Sequence, residues 1–363
     1  MTSALKDHVS PQMVQDLADE LSTAWADFPS DAFIDDATNG LVELELKDRI
    51  RQVATALART LPDEPTDLVA VLDATLGSAS FEGWMVWPCA EMLTPLGPEH
   101  PDIILPFMAR LTHRSSCEFA IRPCIDQHPE LTFAYLHTWV NDPDEHVRRL
   151  VSEGTRPRLP WGQRLRALQE DPTPSIVLLD RLRDDDSEFV RRSVANHLGD
   201  IVKDHPNLAL ETAQRWQAEG GAHIDTVIRH GLRTLIKAGH PTALQLVGYD
   251  ADAPVQLEHI TIDPSQLPIG GHAQIAVELT TNSTTPVPIV VEYLIHYLGI
   301  RGPRKPKAYR LAERTLEPGV ACRLRRKQTF DHASIRTLYP GDHLIEVQVN
   351  GRVLGSCTLE LTA

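Results

Sequence analysis

Two segments of this chain repeat each other at an offset of 43 residues, and the repeat limits the possible folds more than any other feature. DPDEHVRRLVSE (142–153) aligns with DDSEFVRRSVAN (185–196). Asp142 pairs with Asp185, Glu145 with Glu188, Val147 with Val190, Arg148 and Arg149 with Arg191 and Arg192, and Val151 with Val194. In a helical chain, a period of roughly 40–47 residues indicates HEAT-type helix pairs, which bury their apolar faces only by stacking on neighbours. Weaker copies occur at CEFAIRPCID (117–126) and TVIRHGLRTLIK (226–237). Helical spacing also recurs in QMVQDLADELSTAW, ELKDRIRQVATALARTL and LDRLRDDDSEFVRRSVANHLGDIVK. The prolines Pro62 and Pro65, Pro95 and Pro98, Pro157 and Pro160, and Pro172 and Pro174 are expected to separate helices, because proline has no N–H to donate.

From about residue 255 the pattern changes. QLEHITI, AQIAVELTT, PIVVEYLIHYL, AYRLAERTL, CRLRRKQTF, HLIEVQV and RVLGSCTLEL are short, often alternating segments separated by turn residues. Such a series predicts an immunoglobulin-like sandwich, and Asn350-Gly351 predicts a tight hairpin. The expected fold class is mainly α. A HEAT-like helical-repeat solenoid over 1–254 is followed by a C-terminal immunoglobulin-like β-sandwich over 255–363. No run of about 18 apolar residues suggests a membrane span. The opening MTSALKDHVSPQ lacks the basic and apolar regions of a signal peptide, so a soluble cytoplasmic protein is expected. The five cysteines are scattered and form no CxxC pair, which predicts reduced thiols and no zinc cluster.

The net charge of −15 argues against a nucleic-acid partner until its distribution is considered. Residues 1–100 hold 5 basic and 18 acidic residues and are expected to form an outer solvated surface. Residues 146–166 hold 6 basic and 1 acidic, and residues 295–327 hold 10 and 2. Local potential decides whether a phosphate backbone is attracted, so these two patches suit a protein that grips an anion at a defined place.

Residues four apart share a helix face. Val190, Val194, Leu198 and Ile201 are the expected buried stripe of the second copy, and Arg192, Asn196 and Asp200 form another. Its counterparts are Glu118, Arg122 and Asp126; Arg149 and Glu153; and Arg229, Arg233 and Lys237. Stacked helices would make these stripes rungs of one surface, with arginines around central carboxylates. Interhelical salt bridges are the alternative. A DNA duplex would be held by its phosphates, and the carboxylates would need a positive partner, which a cationic alkylated base supplies. Trp161, between Arg158 and Arg164, is either a packing residue or an aromatic face presented to such a cation or its sugar.

HVRRLVSEGTRPRLPWG, FVRRSVANHLGDIVKDHP and IRHGLRTLIKAGHPTALQLVG resemble the AlkC family of DNA alkylation-repair glycosylases, within the HEAT-like-repeat glycosylase superfamily. The resemblance covers roughly residues 10–250, and the β-rich tail looks like the variant with an added immunoglobulin-like domain. Gly199 departs from it, standing where asparagine is expected in an ANHLND-like motif. The resemblance implies a monofunctional glycosylase for 3-methylcytosine and 1-methyladenine in double-stranded DNA, located in the cytoplasm at the nucleoid. By motif match, Glu118, Glu153 and Asp200 would be the acidic residues at the lesion. Trp161 would contact its deoxyribose and Arg149 the backbone. The candidate DNA contacts are completed by Arg156, Arg158, Arg192, Arg229, Arg233, Lys237 and the strip Arg304, Lys305 and Lys307. No metal or other cofactor is expected, because an alkylated base is already a good leaving group, and no Walker loop, GxGxxG, HExxH or GxSxG motif occurs. A monomer is expected. Two other readings stay open: a non-catalytic HEAT-repeat scaffold binding DNA or a protein, and a glycosylase for 3- or 7-methylpurines.

Overall fold

The computed structural model describes residues 5–332 and 337–363. The chain divides into two compact units. One runs to Pro206 and includes Gly221–Val227; the other combines Asn207–Gly220 with Ile228–Ala363.

The first unit is a succession of packed helices. The repeat sits on the helices Glu145–Gly154 and Glu188–Asp204, which pack on each other. Each copy builds its own entry turn in the same way. Asp142 Oδ1 accepts from the N–H of Asp144 and Asp185 Oδ1 from that of Ser187, both at 2.9 Å. The first arginine of each pair then turns back to the carbonyls that precede its helix. Arg148 donates to Asp142 and Pro143, and Arg191 to Asp185 and Asp186. Arg148 also forks onto the Asp185 carboxylate of the next copy at 2.7 and 2.9 Å. The repeated Asp and Arg are therefore the joint between copies, and the arginine holds the Asp185 carboxyl below its ordinary range.

Val190, Val194, Leu198 and Ile201 are buried as the spacing predicts. Gly199 lies buried inside an uninterrupted helix. Three details differ from the sequence expectation. LDRLRDDDSEFVRRSVANHLGDIVK is two helices, because DDDS supplies a turn and a helix start between Leu182 and Glu188. Pro95 and Pro98 do not separate helices; they lie inside Val86–Glu99, where buried Met92, Leu93 and Gly97 keep the segment packed. The last weak copy breaks at Leu232, giving Ile224–Gly231 and Arg233–Lys237. Among the described residues no helix is long and apolar enough to cross a membrane.

All seven expected strands form. They are β1 (Val255–Asp263), β3 (His272–Thr281), β4 (Val287–His296), β7 (Lys307–Leu316), β8 (Cys322–Thr329), β9 (Gly341–Val349) and β10 (Arg352–Thr362). Three short ones join them: β2 (Gln266–Pro268), β5 (Leu298–Gly299) and β6 (Gly302–Pro303). The two larger sheets have the orders β1-β3-β8 and β2-β10-β9-β4-β7, and β5 pairs with β6 alone. β3 alternates, sending Ala273, Ile275, Val277 and Leu279 inward, whereas central β4 is buried almost throughout. Asn350 (φ 45°) and Gly351 (φ 82°) close the β9–β10 hairpin with two positive φ values, as a type I′ turn requires. A Cβ on Gly351 would stand 2.4 Å from the Gly239 carbonyl oxygen, so only glycine fits. The basic β7 and β8 are edge strands, where charge also discourages pairing with another chain.

Candidate active site

The two repeat helices, the loop that follows the first and the turn at Glu118 bring six charged groups into one series. Glu118 lies in the turn before the helix Arg122–Gln127. Its Oε2 accepts from Arg149 Nη1 at 2.5 Å. Arg149 reaches Glu153 at 3.5 Å, and Arg156 grips Glu153 at 2.7 Å and Asp200 at 2.9 Å. Lys203 closes the series on Asp200 at 2.9 Å. Positive and negative groups alternate, so each buried charge has a partner.

Arg149 is further fixed by Ser116 at 2.9 Å and by the Phe189 ring, 4.7 Å below its guanidinium. The free oxygen of Glu153 accepts from Ser193 Oγ at 2.6 Å. Glu153 is thus held by two hydrogen-bond donors and a neighbouring arginine, and still lines a cavity of about 360 Å³, together with Glu118, Phe119, Trp87, Arg156 and Trp161. Trp161 is 62% exposed and has a φ of 66°, which a bulky side chain adopts only when its surroundings impose it. It is therefore no packing residue. Lys47 Nζ donates to its carbonyl at 2.5 Å.

Several sequence assignments change. Asp200 does not line this cavity; its side chain is 3% exposed and sits behind Arg156. Arg156, a DNA contact on the sequence reading, is a buried bridge between two carboxylates, because carboxylates shut away from water need a cation beside them and this guanidinium reaches both. Arg192 is exposed and paired with Glu188 one turn away, outside the series. Arg158 forks onto Asp204 at 2.5 and 2.7 Å and stays partly exposed. Arg122 is fully buried and Asp126 exposed, so the stripe read at 118–126 is not one surface; Glu118 precedes the helix. Nor do the residues before 100 form only an outer surface: Trp87 lines the cavity and stacks on Phe119 at 5.7 Å. Spacing gave no signal for Trp87 or Phe119, since both are ordinary core residues by pattern.

In the second unit, the Arg229 guanidinium lies 5.8 Å from the Tyr249 ring centre and Arg233 bonds to the His230 carbonyl. Lys237 acts on buried Glu292, whose carboxyl burial pushes upward. Arg304 lies over Tyr339 and Lys307 over Tyr309, while Lys305 is exposed between them.

His197 lies fully buried beside the charge series. Its Nδ1 meets the Ser152 carbonyl at 3.0 Å and so carries the proton. Its buried Nε2 has no hydrogen-bond partner among the described residues. Burial, ahead of every other influence, holds the ring down at about 4. The unfolded chain protonates this ring below about pH 6.5, the folded chain only near 4, so stability is complete above 6.5 and falls between 6.5 and 4. His197→Gln is expected to remove about 3 kcal/mol of that decline. Urea unfolding at pH 4.5, 5.5 and 7 measures it, and an unchanged decline would assign the acid sensitivity to other groups.

Paired helices in repeat, followed by an immunoglobulin-like sandwich, define the class of protein. The model of the family described as the YhaZ C-terminal Ig-like domain matches residues 256–363. Over 358 residues the chain is 33% identical to the uncharacterized protein YhaZ of Bacillus subtilis (strain 168), covering 98% of this chain and 99% of that one. The solved structure of Pseudomonas fluorescens alkylpurine DNA glycosylase AlkC, bound to DNA containing an abasic site analog, matches with a TM-score of 0.91 and 34% identity. That match covers 99% of this chain and all of the other. The chain belongs to the AlkC family of DNA glycosylases.

Proposed function

We propose that this protein is a monofunctional DNA glycosylase, acting as a monomer in base-excision repair. It hydrolyses the N-glycosidic bond of cationic alkylated bases, 3-methylcytosine and 1-methyladenine, in double-stranded DNA. The observation that carries this reading is Glu153: a carboxylate pinned by Arg156 and Ser193, with Arg149 3.5 Å away, on the wall of a cavity that also carries Glu118 and the exposed Trp161.

The chemistry follows from charge. The C1′–N bond breaks with its electron pair going to the base, which leaves neutral. The sugar gains oxocarbenium character, as in glycoside hydrolysis. Fixed carboxylates beside it stabilise the developing charge without having to reorganise. A water adds to C1′ and gives its proton to a carboxylate; the sequence reading favours Asp200 for this, and the burial of Asp200 behind Arg156 supports Glu153 in its place. Asp200 is the carboxylate that sets the position of Arg156, and hence the field at Glu153. Trp161 offers its indole face to the cationic base or to the deoxyribose. Arg149, Arg158, Arg192, Arg229, Arg233 and Lys237 are the proposed phosphate contacts of the helices, and Arg304, Lys305 and Lys307 those of the sandwich, where salt-sensitive attraction is expected.

The test is a duplex carrying one 3-methylcytosine, with parallel duplexes carrying 1-methyladenine, 3-methyladenine or 7-methylguanine. Free base should appear, with strand cleavage only after alkali. Cleavage before alkali would remove the monofunctional assignment. Release from the 3- and 7-methylpurines alone would move the substrate class. Tight duplex binding without any release would leave a scaffold. The relative named alkylpurine DNA glycosylase makes the purine lesions the second reading.

A further inference from the structure

Arg122 is among the largest fully buried side chains in the protein. Its Nη1 donates to the Gly154 carbonyl at 2.7 Å and its Nε to the Gln163 carbonyl at 2.6 Å. Gly154 ends the helix that carries Glu153, and Gln163 follows Trp161 by two residues. One guanidinium therefore ties both ends of the loop that joins the pinned carboxylate to the exposed indole. Gly162 packs directly on it and on Leu159: a Cβ there would stand 3.1 Å from Leu159 Cδ2, 3.3 Å from Arg122 Nε and 3.4 Å from Arg122 Cδ. Arg156 and Arg158 tie the first half of the loop to Asp200 and Asp204, whereas the other side-chain cross-links at its Trp161 end are exposed, Lys47 on the Trp161 carbonyl and Gln163 on Asp126. Exposed bonds exchange with water at little cost, whereas a buried carbonyl that loses its donor has no replacement. Burial is also why this arginine gives up its proton more readily than an ordinary one, at about 10.

We propose that Arg122 is a positioning residue for base release. By clamping Gly154 and Gln163 it fixes Trp161 relative to Glu153, and it touches neither lesion nor DNA. The proposal rests on the reading of Trp161 and Glu153 as site residues. Its geometry needs a planar fork. A lysine ammonium is a point charge on a flexible stem and does not reproduce two fixed donors.

The test compares Arg122→Lys, Gly162→Ala, Trp161→Ala and the Arg122→Lys/Trp161→Ala double variant. Three readouts are taken: single-turnover release of 3-methylcytosine, affinity for a duplex with an abasic-site analogue, and the rate of tryptic cutting after the exposed Arg164. With the clamp lost, cutting after Arg164 should rise at least about tenfold, because the loop opens locally. Release should slow by about 10- to 100-fold with duplex affinity changed less than about threefold, since misplacing a group by about 1 Å costs that much in rate. In the Trp161→Ala background, Arg122→Lys should add less than about a threefold further loss. Gly162→Ala presses on the clamp without removing it. It should act in the same direction with a smaller effect, which keeps the test decisive if Arg122→Lys does not fold. Equal losses in both backgrounds would overturn the proposal. So would a loop that stays closed to trypsin while Trp161→Ala still slows release, and the reading of Trp161 would then stand. If Trp161→Ala leaves release unchanged while the loop opens, the reading of Trp161 fails and the role of the clamp in the reaction fails with it.

Discussion

Glu153→Gln and Asp200→Asn are each expected to slow base release by about 100- to 1000-fold, the usual cost of removing one fixed charge-stabilising group. Affinity for an abasic-site duplex should change only a few-fold, because neither carboxylate is needed to attract phosphate. The two losses should not multiply. Arg156 bonds to Glu153 at 2.7 Å and to Asp200 at 2.9 Å, so neutralising either end shifts the same guanidinium. Groups in one such network couple rather than add. Single-turnover kinetics on the 3-methylcytosine duplex, with both single variants and the double, measure this. A double variant slower by the product of the two would show that Asp200 acts on the lesion independently of Arg156.

Arg156→Ala should have the largest effect on stability, a loss of about 3–5 kcal/mol, because it strands two buried carboxylates. Lys203 still holds Asp200 at 2.9 Å, and Arg149 lies 3.5 Å from Glu153, so the lower end of that range is expected. Arg156→Lys should recover little, since one ammonium does not span both oxygens that the guanidinium bridges. The check is urea unfolding of the three proteins at neutral pH. A loss below about 1 kcal/mol would mean that the other two cations suffice, as at exposed ion pairs.

Much of the fold was legible because it follows from local pattern. The offset of 43 residues placed two helices whose Asp and first Arg do the same work in each copy. Alternation placed seven strands, and Asn350-Gly351 placed a hairpin, because backbone preference at a turn depends on the residues in it. Helix breaks were read less well. Pro95 and Pro98 show tertiary packing overriding a local rule, and DDDS shows a turn hidden inside an apolar rhythm.

The candidate site divides in the same way. Helical spacing put Glu118, Arg149, Glu153 and Asp200 among a wider set of charged candidates, and the likeness to the AlkC family singled them out together with Trp161. The sequence reading treated Arg149 and Arg192 as equivalent, yet one is locked between Glu118 and Glu153 and the other pairs one turn away in solvent. It gave Arg156 to the DNA, although the chain turns this arginine inward. It did not foresee Trp87 and Phe119 on the cavity wall, or Arg122 beneath the loop. Which side chain faces which is set by long-range packing: Glu153 meets Ser193 across 40 positions and Arg122 meets Gln163 across 41. Sequence spacing fixes the face of a helix on which a residue lies. What that face meets, and so whether a charge ends as a surface group, a buried bridge or a wall of the site, is decided only when distant helices close on each other and exclude water.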